Sequence, residues 1–214
     1  MTNASTTHRG PIIRLSSGDP LIPTPGVLVI AAGTPFSIIV RDARSIIRWS
    51  AATGEWDWND ERVIWYHHTA GGSMKKRSAR SEVLDMIEMA RESTYGLPYN
   101  FIVMPTHPFR IYYLNDVDRW WAHTWNYNHG TAIAAWGNYS LHQPPPPMVA
   151  RMTALADALA TMWGEWVGEM QHRDAFATEC PGNNLSPLLP RRDRQRGTEM
   201  RYDATTAPEE GRQA

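Results

Sequence analysis

One short stretch near the C-terminal end, Met170-Gln171-His172-Arg173-Asp174-Ala175-Phe176-Ala177-Thr178-Glu179-Cys180-Pro181-Gly182, carries a histidine and the single cysteine of the chain. An imidazole and a thiolate this close in sequence can close on one metal ion. Zinc suits them, because nitrogen and sulfur ligands bind it at roughly 2.0–2.3 Å. Two ligands do not complete a site. The best further donor is Val63-Ile64-Trp65-Tyr66-His67-His68-Thr69-Ala70, an apolar, strand-like run that ends in paired histidines. Strand side chains alternate, so His67 shares a face with Val63 and Trp65, while His68 points the other way. A catalytic zinc has three protein ligands and an open fourth position. A structural zinc is usually closed by four ligands, often cysteines at close spacing, and one cysteine argues against that. Pairing His172 with Cys180 as base and nucleophile of a cysteine protease competes, but leaves His67 without a role.

The elements that must position these residues can be read from periodicity. Residues 62–69 form a first core strand. Gly71-Gly72-Ser73 is a turn, and Ser78 or Ser81 caps a helix that runs to about residue 93. Val83, Leu84, Ile87 and Ala90 fall on one face of it, with Met86 and Met89 widening the stripe. Residues 99–104 and 111–114 read as a strand hairpin, and 132–136 as a fourth strand. Pro144 to Pro147 leads into a helix over 148–163, since proline is tolerated in the first turn. Met148, Met152, Leu155, Leu159 and Met162 make its buried stripe. A final strand over 166–170 delivers His172. Upstream, 26–30, 36–40 and 45–49 read as short strands, and 51–59 as a linker loop. The fold class is α/β, with a central mixed sheet of about five strands, flanking helices and the metal cleft at the strand ends.

Four segments, in order, resemble the zinc N-acetylmuramoyl-L-alanine amidases, a superfamily that includes phage amidase endolysins and peptidoglycan recognition proteins. They are Tyr66-His67-His68-Thr69-Ala70; Leu97-Pro98-Tyr99-Asn100-Phe101-Ile102-Val103; Ala122-His123 through Asn128 to Gly137-Asn138-Tyr139; and His172-Arg173-Asp174 through Thr178-Glu179-Cys180-Pro181-Gly182. The resemblance spans about residues 60–190. It implies zinc held by His67, His172 and Cys180, and hydrolysis of the amide between N-acetylmuramic acid and L-alanine of the stem peptide. It implies that Tyr99 orients the attacking water and that Thr178 steadies the oxyanion. His123 and Asn128 match positions lining the substrate groove, and we group His68 with them as substrate-binding. A threonine hydroxyl offers one uncharged hydrogen bond, so Thr178 should stabilise less than the lysine some relatives carry there. No carboxylate general base stands out.

Composition and pattern, with the resemblance for the central part, divide the chain into a flexible N-terminus (1–10), a β-rich extension or small module (11–60), the zinc amidase domain (61–189) and a disordered polar tail (190–214). Ten tryptophans and eight tyrosines mildly favour a carbohydrate-containing ligand, since aromatic faces stack on sugars. A net charge of −1 gives no field that would draw in nucleic acid. One cysteine excludes an intrachain disulfide. No run approaches the roughly 20 apolar residues of a membrane span, and the polar N-terminus reads as no export signal. The expectation is therefore a monomer made in a cytoplasm that acts on bacterial peptidoglycan after release, by holin-type delivery for an endolysin. The alternatives are a non-catalytic peptidoglycan-binding protein and a cytoplasmic wall-recycling amidase.

Overall fold

The computed structural model describes residues 13–14, 25–29, 37–44, 47, 52–55, 63–117, 119–124, 128, 130–163 and 168–193. Expectations for residues 1–10, 126–127, 164–167 and 194–214, and for most of the strand over 45–49, lie outside the described residues. In chain order the elements are β1 (Ile13–Arg14), β2 (Pro25–Val29), β3 (Ser37–Asp42), β4 (Ala52–Glu55), β5 (Val63–His68), α1 (Ala79–Glu92), β6 (Phe101–Val103), β7 (Ile111–Tyr113), β8 (Arg119–Trp121), β9 (Thr131–Ala135), α2 (Pro146–Trp163), β10 (Gly168–Gln171), α3 (His172–Ala175) and β11 (Arg192–Asp193).

Among the described residues nine strands form one sheet in the order β1-β2-β3-β7-β6-β9-β5-β10-β11. Its centre is mixed. β9 runs parallel to both β6 and β5, β10 runs parallel to β5, and β6 and β7 form the expected antiparallel hairpin. The α/β fold is as expected; the sheet is wider than five strands. The added width comes from upstream, where β3 pairs parallel with β7 and β2 and β1 follow antiparallel, and from β11, which pairs antiparallel with β10 at the other edge.

β5 and β9 are buried along their whole lengths. They have strand neighbours on both sides and helices over both faces, which is why their sequences run nearly apolar without alternation. Ile64, Tyr66, Phe101, Val103 and Ile133 pack with Met148, Met152, Leu155 and Leu159 of α2. Ile102, Tyr112, Ala134 and Trp136, of opposite strand parity, pack with Val83, Met86 and Ala90 of α1.

Ser78 caps α1, its Oγ accepting the Ser81 N–H at 3.1 Å. The buried stripe of α1 differs from the expected one. Leu84 is 48 % exposed and Met86 is fully buried. At about 100° per residue, Leu84 lies a quarter-turn from Val83, whereas Met86 and Ala90 fall close to it. Two upstream and downstream expectations also change. The segment expected to be a linker loop contains β4, which pairs antiparallel with β8 across a register shift. Neither strand carries a local pattern that shows its distant partner. Beyond residue 190, Arg191 bonds Asp174, and β11 pairs with Gly168 and Glu169 of β10. No helix among the described residues is long and apolar enough to cross a membrane.

Candidate metal centre

β10 and β5 are parallel, with Gln171 opposite Tyr66. Cross-strand partners point to the same face. The residues that follow, His67 on β5 and His172 at the start of α3, therefore come side by side on the face that α1 covers further along. Their ring centroids are 4.8 Å apart. Cys180 returns beneath them on the loop after α3. Its Sγ lies 3.6 Å from His67 Nδ1 and accepts the His68 N–H at 3.3 Å. The ligand atoms of His67, His172 and Cys180 all lie within 4.8 Å of one another.

This set fits zinc. A nitrogen at about 2.05 Å and a sulfur at about 2.3 Å, subtending a tetrahedral angle, sit about 3.6 Å apart. That is the His67–Cys180 separation. Burial, reinforced by the neighbouring histidines His172, His123 and His68, pushes the His67 pKa well down. Burial likewise lowers His172 to about 4, helped by His68. Both imidazoles are thus neutral at neutral pH, the form that ligates. Burial pushes the Cys180 thiol up to about 12, only partly offset by the His68 N–H and Arg173. A bound metal ion supplies the positive charge that displaces the proton.

The Cys180 loop is tied to α3 by Arg173. The Arg173 backbone N–H donates to the Cys180 carbonyl at 3.1 Å. Its guanidinium donates to the Glu179 carbonyl and, at 2.9 Å, to Asn183 Oδ1. The turn into α3 is fixed as well. The Gln171 N–H donates to Asp174 Oδ2 at 2.8 Å, and Arg191 bonds the same carboxylate. Gly182 closes the loop at φ +99°, where a Cβ would meet the Tyr139 carbonyl carbon at 2.4 Å. Only glycine suits both that backbone conformation and that approach.

Tyr99 stands beside the pair, its ring centroid 5.2 Å from that of His67 and its hydroxyl donating to the His68 carbonyl at 3.4 Å. Burial, then the nearby Cys180, push its phenol pKa upward. It is a neutral hydroxyl at neutral pH. Two buried amides hold this corner: Asn115 Nδ2 donates to the Leu97 and Tyr99 carbonyls, and Asn100 Oδ1 accepts the Ala132 N–H. Thr178 is half-buried, and its hydroxyl accepts the Cys180 N–H at 3.2 Å. His68 faces away from the three ligands, and its Nδ1 accepts the Tyr139 N–H at 3.1 Å. His123 is buried, with its ring 5.3 Å from that of His67. Asn128 Oδ1 accepts the Thr124 N–H at 2.9 Å. The structure therefore gathers His67, His172, Cys180, Tyr99, Thr178 and His123, with His68 and Asn128 bonded to backbone beside them. Arg173, Asn115 and Thr124 were not singled out from sequence. A lone arginine, amide or hydroxyl carries no spacing signal until its partner is known.

A mixed sheet between two helices defines an α/β fold of the kind seen in peptidoglycan recognition proteins. Drosophila peptidoglycan recognition protein SD matches with a TM-score of 0.56 at 19% identity, over 70% of this chain and 92% of its own. Bumblebee PGRP-SA matches at 0.56 and 18% identity, over 67% and 89%. A point mutant of Drosophila PGRP-LB in complex with tracheal cytotoxin matches at 0.55 and 19% identity, over 68% and 89%. No family model matches the sequence, and no curated protein does.

Proposed function

We propose that the protein is a zinc-dependent N-acetylmuramoyl-L-alanine amidase, cleaving the amide between N-acetylmuramic acid and L-alanine of the peptidoglycan stem peptide. The convergence of His67, His172 and Cys180 at the strand ends carries this reading. Those three residues hold the ion. Zinc with an open position supplies a Lewis acid that brings amide hydrolysis within reach at neutral pH. The surrounding residues do the rest. Tyr99, kept neutral by burial, has its O–H directed at the His68 carbonyl, and its hydroxyl oxygen remains to accept from and orient the attacking water. Thr178 has spent a lone pair on the Cys180 N–H, and its own O–H remains to donate to the tetrahedral oxyanion. A buried thiol pushed up to about 12 is a poor nucleophile, which weighs against the cysteine-protease reading.

The fold is shared with proteins named for peptidoglycan recognition, one of them in complex with tracheal cytotoxin, which supports a wall-derived ligand and keeps a non-catalytic binder as the second reading. Residues 61–189 form the amidase domain in this proposal. A phage or prophage endolysin released through a holin is the biological setting we favour, with a wall-recycling amidase as the other.

Mass spectrometry of the fragments released from purified peptidoglycan tests the function. Free stem peptides beginning with L-alanine, with glycan strands intact, are expected. Zinc should be found in the active protein, activity should be lost to a chelator and restored by zinc, and Cys180→Ala should abolish release while remaining folded by circular dichroism. Cut glycan or cut cross-bridges would assign a different bond. Pelleting on the wall without release would turn the reading to a binder.

A further inference from the structure

Thr124 is fully buried behind the metal centre. Its Oγ1 lies 3.3 Å from His67 Nε2 and 2.8 Å from His123 Nδ1. His67 turns its other nitrogen, Nδ1, to Cys180 Sγ. A ligating nitrogen carries no proton. With Nδ1 as the ligand, the His67 proton sits on Nε2, and that N–H donates to Thr124, as ligating histidines do through their second nitrogen. A hydroxyl has one proton to give. Its oxygen could accept twice, but that would leave the buried O–H without an acceptor, which is costly. Having accepted from His67, Thr124 therefore donates to His123 Nδ1. The proton of His123 is then on Nε2. The reverse order would place a proton on His67 Nδ1, facing Cys180, and block that nitrogen as a ligand.

We propose that Thr124 is a positioning residue that orders the protons of both imidazoles, His67 Nε2–H donating to Thr124 Oγ1 and the Thr124 O–H donating to His123 Nδ1. The part concerning His67 as a ligand rests on the zinc reading. The consequence for chemistry falls on His123, which acts through Nε2 as a hydrogen-bond donor and not as a proton acceptor. Thr124 is itself held in place. Its backbone N–H donates to Asn128 Oδ1 at 2.9 Å, and the His123 N–H donates to the Trp121 carbonyl at 2.7 Å, on the strand that β4 pairs with.

The test uses the full chain as wild type, Thr124→Ser and Thr124→Val. Long-range proton–nitrogen NMR of the histidine rings at neutral pH reads the tautomers with and without zinc, and competition with a chelating dye reads zinc affinity. Wild type and Thr124→Ser should show both His67 and His123 protonated on Nε2. Zinc affinity should fall about tenfold in Thr124→Val, the scale for loss of a partner to a metal ligand, and stay close to wild type in Thr124→Ser. A His123 proton on Nδ1 in the wild type would overturn the proposal. So would a valine variant with wild-type tautomers and wild-type zinc affinity. A wild type that binds no zinc would instead remove the metal reading, and the metal-free spectra would still decide the order of the protons.

Discussion

At the scale of single residues, the centre is built from imidazoles held neutral by burial. His68 and His172 are both lowered to about 4 from the ordinary 6.5, burial being the first cause for each. The unfolded chain therefore binds protons below pH 6.5 that the native chain refuses until about 4. Stability from these groups is fully present above pH 6.5 and is lost as pH falls toward 4. For His68 the Arg173 charge adds to burial, and protonating Nδ1 would also remove the acceptor of the Tyr139 N–H. In metal-free protein the loss between pH 7 and pH 5 should be on the order of 1–2 kcal/mol per histidine. Urea denaturation at the two pH values measures it. Replacing His68 with glutamine should flatten the profile, and equal midpoints at both pH values would show that these histidines are not held neutral.

At the scale of elements, the candidate metal centre depends on how β10, α3 and the Cys180 loop are tied together. β10 delivers His172 by its parallel register with β5, while Cys180 is brought back by Arg173. Arg173→Ala leaves the backbone bond to the Cys180 carbonyl but deletes the guanidinium contacts to the Cys180 and Glu179 carbonyls and to Asn183. The loop then loses its side-chain anchor. Zinc affinity should fall about tenfold, the range seen when support around a ligand is removed. Thermal stability of the metal-free protein should change little, because two of the three lost contacts are exposed and the third is long, at 3.4 Å. Chelator competition together with a melting curve separates the two effects.

At the scale of the whole molecule, α2 carries the larger core. Leu155 is fully buried in the cluster that holds Ile64, Tyr66, Phe101 and Ile133 together. These residues lie on β6, β9 and β5, the last of which carries His67. Leu155→Ala should lower stability by roughly 2–5 kcal/mol, the cost of a buried cavity that the sheet cannot collapse around. The urea midpoint at neutral pH reads this directly. Because the cavity lies on the face opposite His67, zinc affinity of the folded fraction should stay near wild type. A matching drop in affinity would mean that the two faces of the sheet are coupled.

Much of this architecture was legible locally. The methionine and leucine stripe of α2, the Ser78 cap of α1 and the hairpin of β6 and β7 are properties of neighbouring residues, and periodicity reads them without tertiary information. The candidate ligand set was legible for the same reason, because His172 and Cys180 share one short segment and the chain has one cysteine. The parity of β5 also separated His67 from His68. Other features depend on partners far apart in the chain. His67 and Cys180 lie 113 positions apart, and their 3.6 Å separation exists only once β10 takes its register on β5. β4 finds β8, Asn115 finds the Tyr99 carbonyl and Thr124 finds His67 in the same way. Residue type and local spacing determined which ligands and which elements the chain could offer. Strand order and register decided which atoms meet, because hydrogen bonds and metal ligation are set by distances of a few ångströms that no local pattern encodes.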